Sequence, residues 1–241
     1  MGNLGLLYRG EMLRMRRYNI TAASLVVVVI WIAMLYFAGT VNVGVSLPLV
    51  LFADATMMSV LLVGVIMLFE KQEGATRSML VLPITKGEYL GAKILATVTS
   101  SVITLVLLLV YAVGFRGVSV NILGLFGAVL LAASVFCLIG VVLTYRVRDF
   151  TSLLMSVFVL FFGLGVPTVL EALDMVSGEW LTWLQYLNPM KSALIILSAG
   201  VETIPANEIW RSVAYLAGLG GVMAWLAVRH FDAYAAKEIG G

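Results

Sequence analysis

The sequence is poor in the residues that cover a soluble protein. Only 12% of its 241 residues are charged, whereas 62% are hydrophobic. A soluble domain is about a quarter charged and about half apolar. The charged side chains are therefore too few to cover one or two soluble domains of this length. This shortage excludes a soluble fold and indicates a membrane protein.

Residues that carry common chemistry are also scarce. Cys137 is the only cysteine and lies in an apolar run, which excludes an internal disulfide and a cysteine metal cluster. His230 is the only histidine, so most metal-hydrolase and Ser-His mechanisms are removed and no metal site is predicted. The five prolines form no linker-like tract, and a net charge of +2 gives no signal for nucleic acid.

Six apolar segments are long enough to cross a bilayer, which takes about 20 residues per helix. They cover residues 20–38, 47–69, 94–114, 120–143, 150–170 and 209–228. Helices are expected because lipid satisfies no backbone polar group, and no segment alternates as a barrel strand does. The sequence predicts an all-α membrane protein with a single transmembrane domain over residues 1–241.

The segment before the first span, residues 1–19, is basic and amphipathic. It is not a signal peptide, because the apolar run that follows is too long and has no A-x-A-like cleavage site. Its apolar residues recur at helical spacing, which predicts a helix in the membrane interface. The arginines expected to face lipid phosphates are Arg9, Arg14, Arg16 and Arg17. The alternative is an unstructured basic tail that only fixes topology.

The distribution of Lys and Arg predicts the orientation. With both termini cytoplasmic, twelve of these residues lie inside and only Arg116, Lys191 and Arg211 lie outside. This bias agrees with the positive-inside rule. We therefore expect a multi-pass protein of the plasma (cytoplasmic) membrane.

One outer connection, residues 171–208, is long and rather apolar. Its apolar run 193–199 is too short to span and is bracketed by Pro189 and Gly200. A seventh span would also move the C-terminal basic residues outside. A pair of re-entrant or interfacial helices is therefore predicted before the last span.

The longest inner loop, residues 70–93, is the most informative polar stretch. Gly74 is the natural place for a membrane helix to end, and Pro83 ends a short helix predicted over 76–82. Met79 and Leu80 of that helix are available for docking to a cytosolic partner. An ordinary hairpin loop is the alternative.

This loop resembles the first cytoplasmic loop of type-2 (export-class) ABC transporter permeases. Glu73 and Gly74 are followed nine residues later by Pro83, and Lys93 lies ten residues further on. The basic N-terminal helix, six spans, long outer connection and Asn188-Pro189 pair agree with that family. The segments 52–54 and 70–74 look most like small permeases labelled as fluoroquinolone exporters.

The resemblance implies a transport subunit, not an enzyme, whose ATPase is a separate polypeptide. The N-terminal helix would be an elbow, and residues 74–82 a coupling helix that docks on the ATPase subunit. The implied ATPase-coupling residues are Glu70, Glu73, Gly74, Thr76, Arg77, Met79, Leu80 and Pro83. The chain has no G-x-x-x-x-G-K-[ST] loop, so it binds no cofactor itself, and ATP and Mg²⁺ are expected in the partner. A second permease copy or a homologous permease completes the assembly in the bilayer.

One acid, Asp54, lies about a third of the way into the second span. Acids inside a membrane are costly and by default mark a functional or pairing site. Two roles stay open for Asp54 and its neighbours Met57 and Met58: contact with substrate, or pairing between helices.

The sequence therefore predicts the permease subunit of an ABC exporter for a hydrophobic or amphipathic substrate, working by alternating access. Two other classes are alternatives: a scaffold or immunity-type membrane protein without transport, and a membrane-embedded enzyme. The enzyme lacks a catalytic constellation, and the loop resemblance argues against the scaffold.

Overall fold

A computed structural model describes residues 3–37, 43–74, 84–173, 175, 185 and 187–239, with the backbone alone given for 233 and 235–239. The described residues form helices and no strand. The helices are α1 (Asn3–Arg17), α2 (Ile20–Phe37), α3 (Val43–Gln72), α4 (Lys86–Phe115), α5 (Ile122–Thr144), α6 (Phe150–Ala172), α7 (Pro189–Ser198) and α8 (Ala206–Ile239). All but α1 and α7 are long and apolar enough to cross a membrane. The predicted all-α fold with six spans is confirmed.

The helices begin where the sequence supplies capping side chains. Thr85 and Glu88 form a capping box at the start of α4. Asn121 and Asp149 accept hydrogen bonds from backbone N–H groups at the starts of α5 and α6. Because Asp149 accepts this bond from Ser152, the pKa of its carboxyl is lowered. The helices α3, α4, α6 and α8 are longer than the predicted spans, whose membrane boundaries stay a prediction.

The end of α3 follows from one glycine. Gly74 has a φ of +67°, a left-handed conformation that glycine adopts without steric cost. Its N–H donates to the carbonyl of Lys71, and the N–H of Glu73 donates to that of Phe69. The helix therefore ends at Gln72, beside the glycine at which the sequence predicts a break.

The centre of the bundle is α5, which packs against α3, α4, α7 and α8. Its residue Gly140 allows α3 to approach closely, since a Cβ there would lie 2.5 Å from Val63 Cγ1 and 3.0 Å from Val60 Cα. By contrast, few side chains of α2 and α6 are buried. Their apolar surfaces suit contact with lipid or with another chain.

Three of the long helices contain a π-helical segment: Asp54–Met58 in α3, Val110–Phe115 in α4 and Phe161–Gly165 in α6. Such segments are rare and are frequent at functional sites. The first of them begins at the acid that the sequence analysis singles out.

Helix ends gather at two sides of the bundle. We call the charged end the side where α1, the end of α3, the start of α4 and the C-terminal part of α8 meet. There Lys86 pairs with Asp232 at 2.6 Å, and the rings of Tyr89 and Phe231 lie 5.3 Å apart. The opposite end holds the α4–α5 connection and α7, joined by the Asn121 N–H bonded to the Gly200 carbonyl at 2.7 Å.

The connection over 171–208 contains one described helix, α7. Asn188 caps it, and its Nδ2 donates to the Leu164 carbonyl and to Thr168 Oγ1 at 2.8 and 2.9 Å. With ten residues α7 is too short to span, as predicted. The other member of the predicted pair falls on residues 176–184, outside the described residues.

Candidate coupling and substrate sites

A buried ionic cluster joins α1, α3 and α4 at the charged end. Lys93 of α4 lies 2.8 Å from both carboxylate oxygens of Glu70 and 3.3 Å from Glu11 Oε1. Each of these three side chains is at most 3% exposed. A buried charge needs partners because its desolvation is expensive. Here α1, α3 and α4 together contribute these partners.

Two further side chains complete the ionic cluster. Arg14 of α1 pairs with Glu70 and lies 3.5 Å from Glu11. The Tyr89 hydroxyl donates to Glu70 Oε2 at 2.9 Å. Two acids thus face two cations, so the charges balance. The ionic cluster thus consists of Glu11, Arg14, Glu70, Tyr89 and Lys93.

The ionic cluster flanks the loop that is predicted to couple to an ATPase. Glu70 lies in the last turn of α3, before the loop, and Tyr89 and Lys93 lie in the first turns of α4, after it. Glu11 and Arg14 attach α1 to both. The helices before and after the loop therefore share one ionic cluster. A movement of the loop would act on both of them.

The predicted coupling residues differ in their surroundings. Glu70 is buried in the ionic cluster, so its side chain faces the bundle. Glu73 is partly exposed and lies 3.7 Å from Arg17, an ion pair that contributes at most about 1 kcal/mol at a surface. Gly74 ends α3. Thr76, Arg77, Met79, Leu80 and Pro83 lie outside the described residues. The coupling role of all of them stays a prediction.

The four N-terminal arginines do not share one environment. Arg9, Arg16 and Arg17 are exposed, while Arg14 faces the ionic cluster. The apolar face of α1 also packs on protein: Met15 is buried against Ile66 and Ala96. Because α1 lies against α4, Arg14 on its polar face contacts buried acids.

A cavity of about 350 Å³ lies between α2, α3 and α4, with Phe150 of α6 at its rim. We call it the Asp54 cavity. Its wall is mainly apolar, and its size is in the range of small-molecule sites. The hydroxyl groups that line it belong to Tyr18, Ser24, Ser59, Thr97, Ser100, Ser101 and Thr104.

Asp54 lines this cavity and is 6% exposed. Thr104 and Ser101 of α4 lie beside it; the Thr104 hydroxyl donates to the Ser100 carbonyl at 3.3 Å, and the Ser101 hydroxyl lies 3.4 Å from that of Ser59. Trp31 of α2 also lies beside it, although the Nε1–H of that indole has no hydrogen-bond partner of normal geometry among the described residues. No ion pair involves Asp54 in the part of the chain that the structure describes.

The other two candidates beside Asp54 differ in their surroundings. Met58 lines the cavity, whereas Met57 packs against the main hydrophobic core. Sequence reasoning singled out none of the α4 hydroxyls. The signal was present: Thr97, Thr99, Ser100, Ser101 and Thr104 form a hydroxyl-rich run in an otherwise apolar span.

Sequence reasoning also missed Glu11 and Lys93 as partners of Glu70. Glu11 follows Leu7 by four residues and precedes Met15 by four, so it lies on the apolar face of α1. An acid at such a position predicts a buried partner. Elsewhere, the described residues contain no group of three or more His, Cys, Asp or Glu that could hold a metal ion.

Comparison with known proteins gives one clear result. Residues 40–229 match the family model described as ABC-2 family transporter protein. No curated protein matches the chain significantly. The matched region takes in α3 to α7, most of α8, the loop of residues 73–85 and Asp54.

Proposed function

Because the chain belongs to the ABC-2 family of transporter proteins, we propose that it is the permease subunit of an exporter that moves a hydrophobic or amphipathic substrate outward. The family match, over most of the chain, is the observation that carries the proposal. It favours a transport subunit over a scaffold and over a membrane-embedded enzyme. The resemblance to fluoroquinolone exporters stays a prediction.

ATP hydrolysis belongs to a partner in this proposal. The sequence contains no P-loop motif with which to cradle phosphates. A separate ATPase subunit would hold ATP and Mg²⁺ and dock on the loop between α3 and α4. The ionic cluster supports this role, because it ties both ends of that loop to α1.

The orientation follows from the charge bias. We place the charged end in the cytoplasm, with both termini, and the connection over 171–208 outside. Two permeases, identical or homologous, would join two ATPase subunits. ATP would close the ATPase pair, move the two coupling loops together and turn the bundle outward.

Capture of the ATPase tests the proposal. A tagged permease is purified from its own host's membranes in mild detergent, and copurifying proteins are identified by mass spectrometry. We expect a P-loop ATPase with the native chain. Replacing Met79 and Leu80 together with Asp should remove it, because an unpaired charge in an apolar docking site costs several kcal/mol.

A control variant adds a negative charge elsewhere. Leu187→Asp changes an exposed residue, 78% accessible, at the opposite end of the bundle, and should leave capture intact. Absence of any P-loop ATPase from the native preparation overturns the proposed function. Capture that survives both sets of changes places the docking surface away from residues 79 and 80.

Labelling on intact cells tests the orientation separately. Single cysteines are introduced at positions 76 and 177 in a Cys137→Ala background and treated with a membrane-impermeant thiol reagent. Reaction at 177 alone is expected. Reaction at 76 alone reverses the proposed topology.

A further inference from the structure

The Asp54 cavity has the charge pattern of a cation-binding site. Among the described residues that line it, Asp54 is the only acid and none is Lys or Arg. Neighbouring hydroxyls solvate a carboxylate but add no compensating charge. A charged group within a membrane helix is costly unless it is paired or faces a cavity. Here only the cavity is available.

The contrast with Glu70 makes this pattern informative. Glu70 lies in the same helix, is also buried, and has both Lys93 and Arg14 as partners. The fold therefore supplies cations to the buried acid that joins α3 to α1 and α4. At Asp54 it supplies hydroxyl groups and empty volume instead.

The remaining wall of the cavity fits an apolar body attached to a positive charge. Leu61, Leu62 and Val65 of α3 and Val27 of α2 provide aliphatic surface. Tyr18, Phe69 and Phe150 lie toward the charged end, where aromatic faces attract cations. The distance along α3 from Phe69 to Asp54 is about 22 Å at 1.5 Å per residue. The wall of the one cavity therefore extends from these aromatic residues to Asp54.

We propose that the Asp54 cavity binds an organic cation with an aromatic or aliphatic body, and that the Asp54 carboxylate pairs with its positive charge. Ser101 and Thr104 line the cavity beside the carboxylate, and the π-helical segment Asp54–Met58 provides the local widening of α3 in which it lies. This inference rests on the proposed function, since it names the substrate class of that permease. The rival role, pairing of α3 with α4, needs hydroxyl contacts but neither a cavity nor a charge.

Two probes of similar shape separate charge from size. Methyltriphenylphosphonium and triphenylphosphine oxide share three phenyl groups on phosphorus; they differ in the fourth substituent, a methyl group or an oxygen, and in one positive charge. Saturable binding of each is measured on the purified full-length chain in nanodiscs of zwitterionic lipid. We expect the native chain to bind the cation at least tenfold more tightly than the oxide.

Asp54→Asn keeps the shape of the side chain and removes its charge. It should weaken binding of the cation at least tenfold and change binding of the oxide less than twofold. Glu202→Gln removes an exposed acid at the opposite end and serves as the charge-matched control, with both affinities unchanged. Elution volume and melting temperature of each variant show that it is folded.

Each other outcome counts against the proposal. Equal affinities of the native chain for cation and oxide overturn it, and so does cation binding that survives Asp54→Asn. If Asp54→Asn does not fold, the residue has a structural role, and Asp54→Glu, which restores the charge, is measured instead. Failure of Asp54→Glu to bind the cation overturns the site. Because the binding assay needs no ATPase, a permease that captures an ATPase but binds no cation refutes only this inference. One that binds the cation but captures no ATPase refutes only the proposed function.

Discussion

Two buried acids in α3 have opposite surroundings. Glu70, near the charged end, contacts Lys93 at 2.8 Å and is also paired with Arg14. Asp54, deeper in the helix, has hydroxyl neighbours and an adjoining cavity. The difference separates two uses of an intramembrane carboxylate. A paired acid joins helices, and an acid without a cation beside an open volume is available to a ligand.

Removal of Lys93 should have the largest effect on stability. In Lys93→Met, Glu70 and Glu11 stay buried without their shared cation. We expect the free energy of unfolding to fall by about 3–5 kcal/mol, the usual loss when one partner of a buried pair is removed. Unfolding in mixed detergent and SDS micelles measures it.

Lys86→Met is the control for that change, because the ion pair of Lys86 with Asp232 is exposed to solvent. Its loss should be at most about 1 kcal/mol. If the two lysine variants unfold alike, the ionic cluster does not hold the charged end together.

Glu70→Gln should destabilise the fold less than Lys93→Met. The amide keeps the shape of the carboxylate and can still accept from the Tyr89 hydroxyl. The expected loss is about 1.5–3 kcal/mol, the contribution of hydrogen bonds to charged groups. In a double-mutant cycle with Lys93→Met the two losses should not add, because the residues are in contact. Additive losses would show that the pair is not coupled.

Asp54→Asn should change stability less than either. Its neighbours are hydroxyls, which bond an amide as well as a carboxyl, so we expect a change below about 1 kcal/mol. The same unfolding assay applies. If Asp54→Asn lowered the free energy of unfolding as much as Glu70→Gln does, Asp54 would have a structural role like that of Glu70. The contrast between the two acids would then be lost.

Thr104→Val should have the smallest effect. It replaces a hydroxyl with a methyl of similar volume beside Asp54 and leaves the charge in place. One hydrogen bond contributes about 0.5–1.5 kcal/mol, so affinity for methyltriphenylphosphonium should fall about threefold. An effect equal to that of Asp54→Asn would mean that the hydroxyl, not the charge, selects the ligand.

The spans were predictable from sequence, because a membrane helix must be apolar along its whole length. Residues 20–38 and 150–170 correspond closely to α2 and α6 for that reason. Gly74 was predictable as the end of α3, since few other residues adopt a positive φ. These features depend on local composition and backbone geometry alone.

The partners of the two acids were not predictable in the same way. Glu70 and Glu11 are separated by most of two helices in sequence, and only the packing of α1 across α4 brings Lys93 between them. The cavity beside Asp54 likewise depends on how α2, α3 and α4 pack together. The order and composition of the helices show which charged residues are buried. The packing between helices determines which residues contact them.

ATP-driven transport of the matched probes tests the central claim most directly. Inside-out vesicles contain the permease with the P-loop ATPase that copurifies with it, and uptake of methyltriphenylphosphonium is compared with that of triphenylphosphine oxide. The account predicts ATP-dependent uptake of the cation that falls at least tenfold in Asp54→Asn while capture of the ATPase is unchanged. Equal cation uptake by the native chain and Asp54→Asn would contradict it.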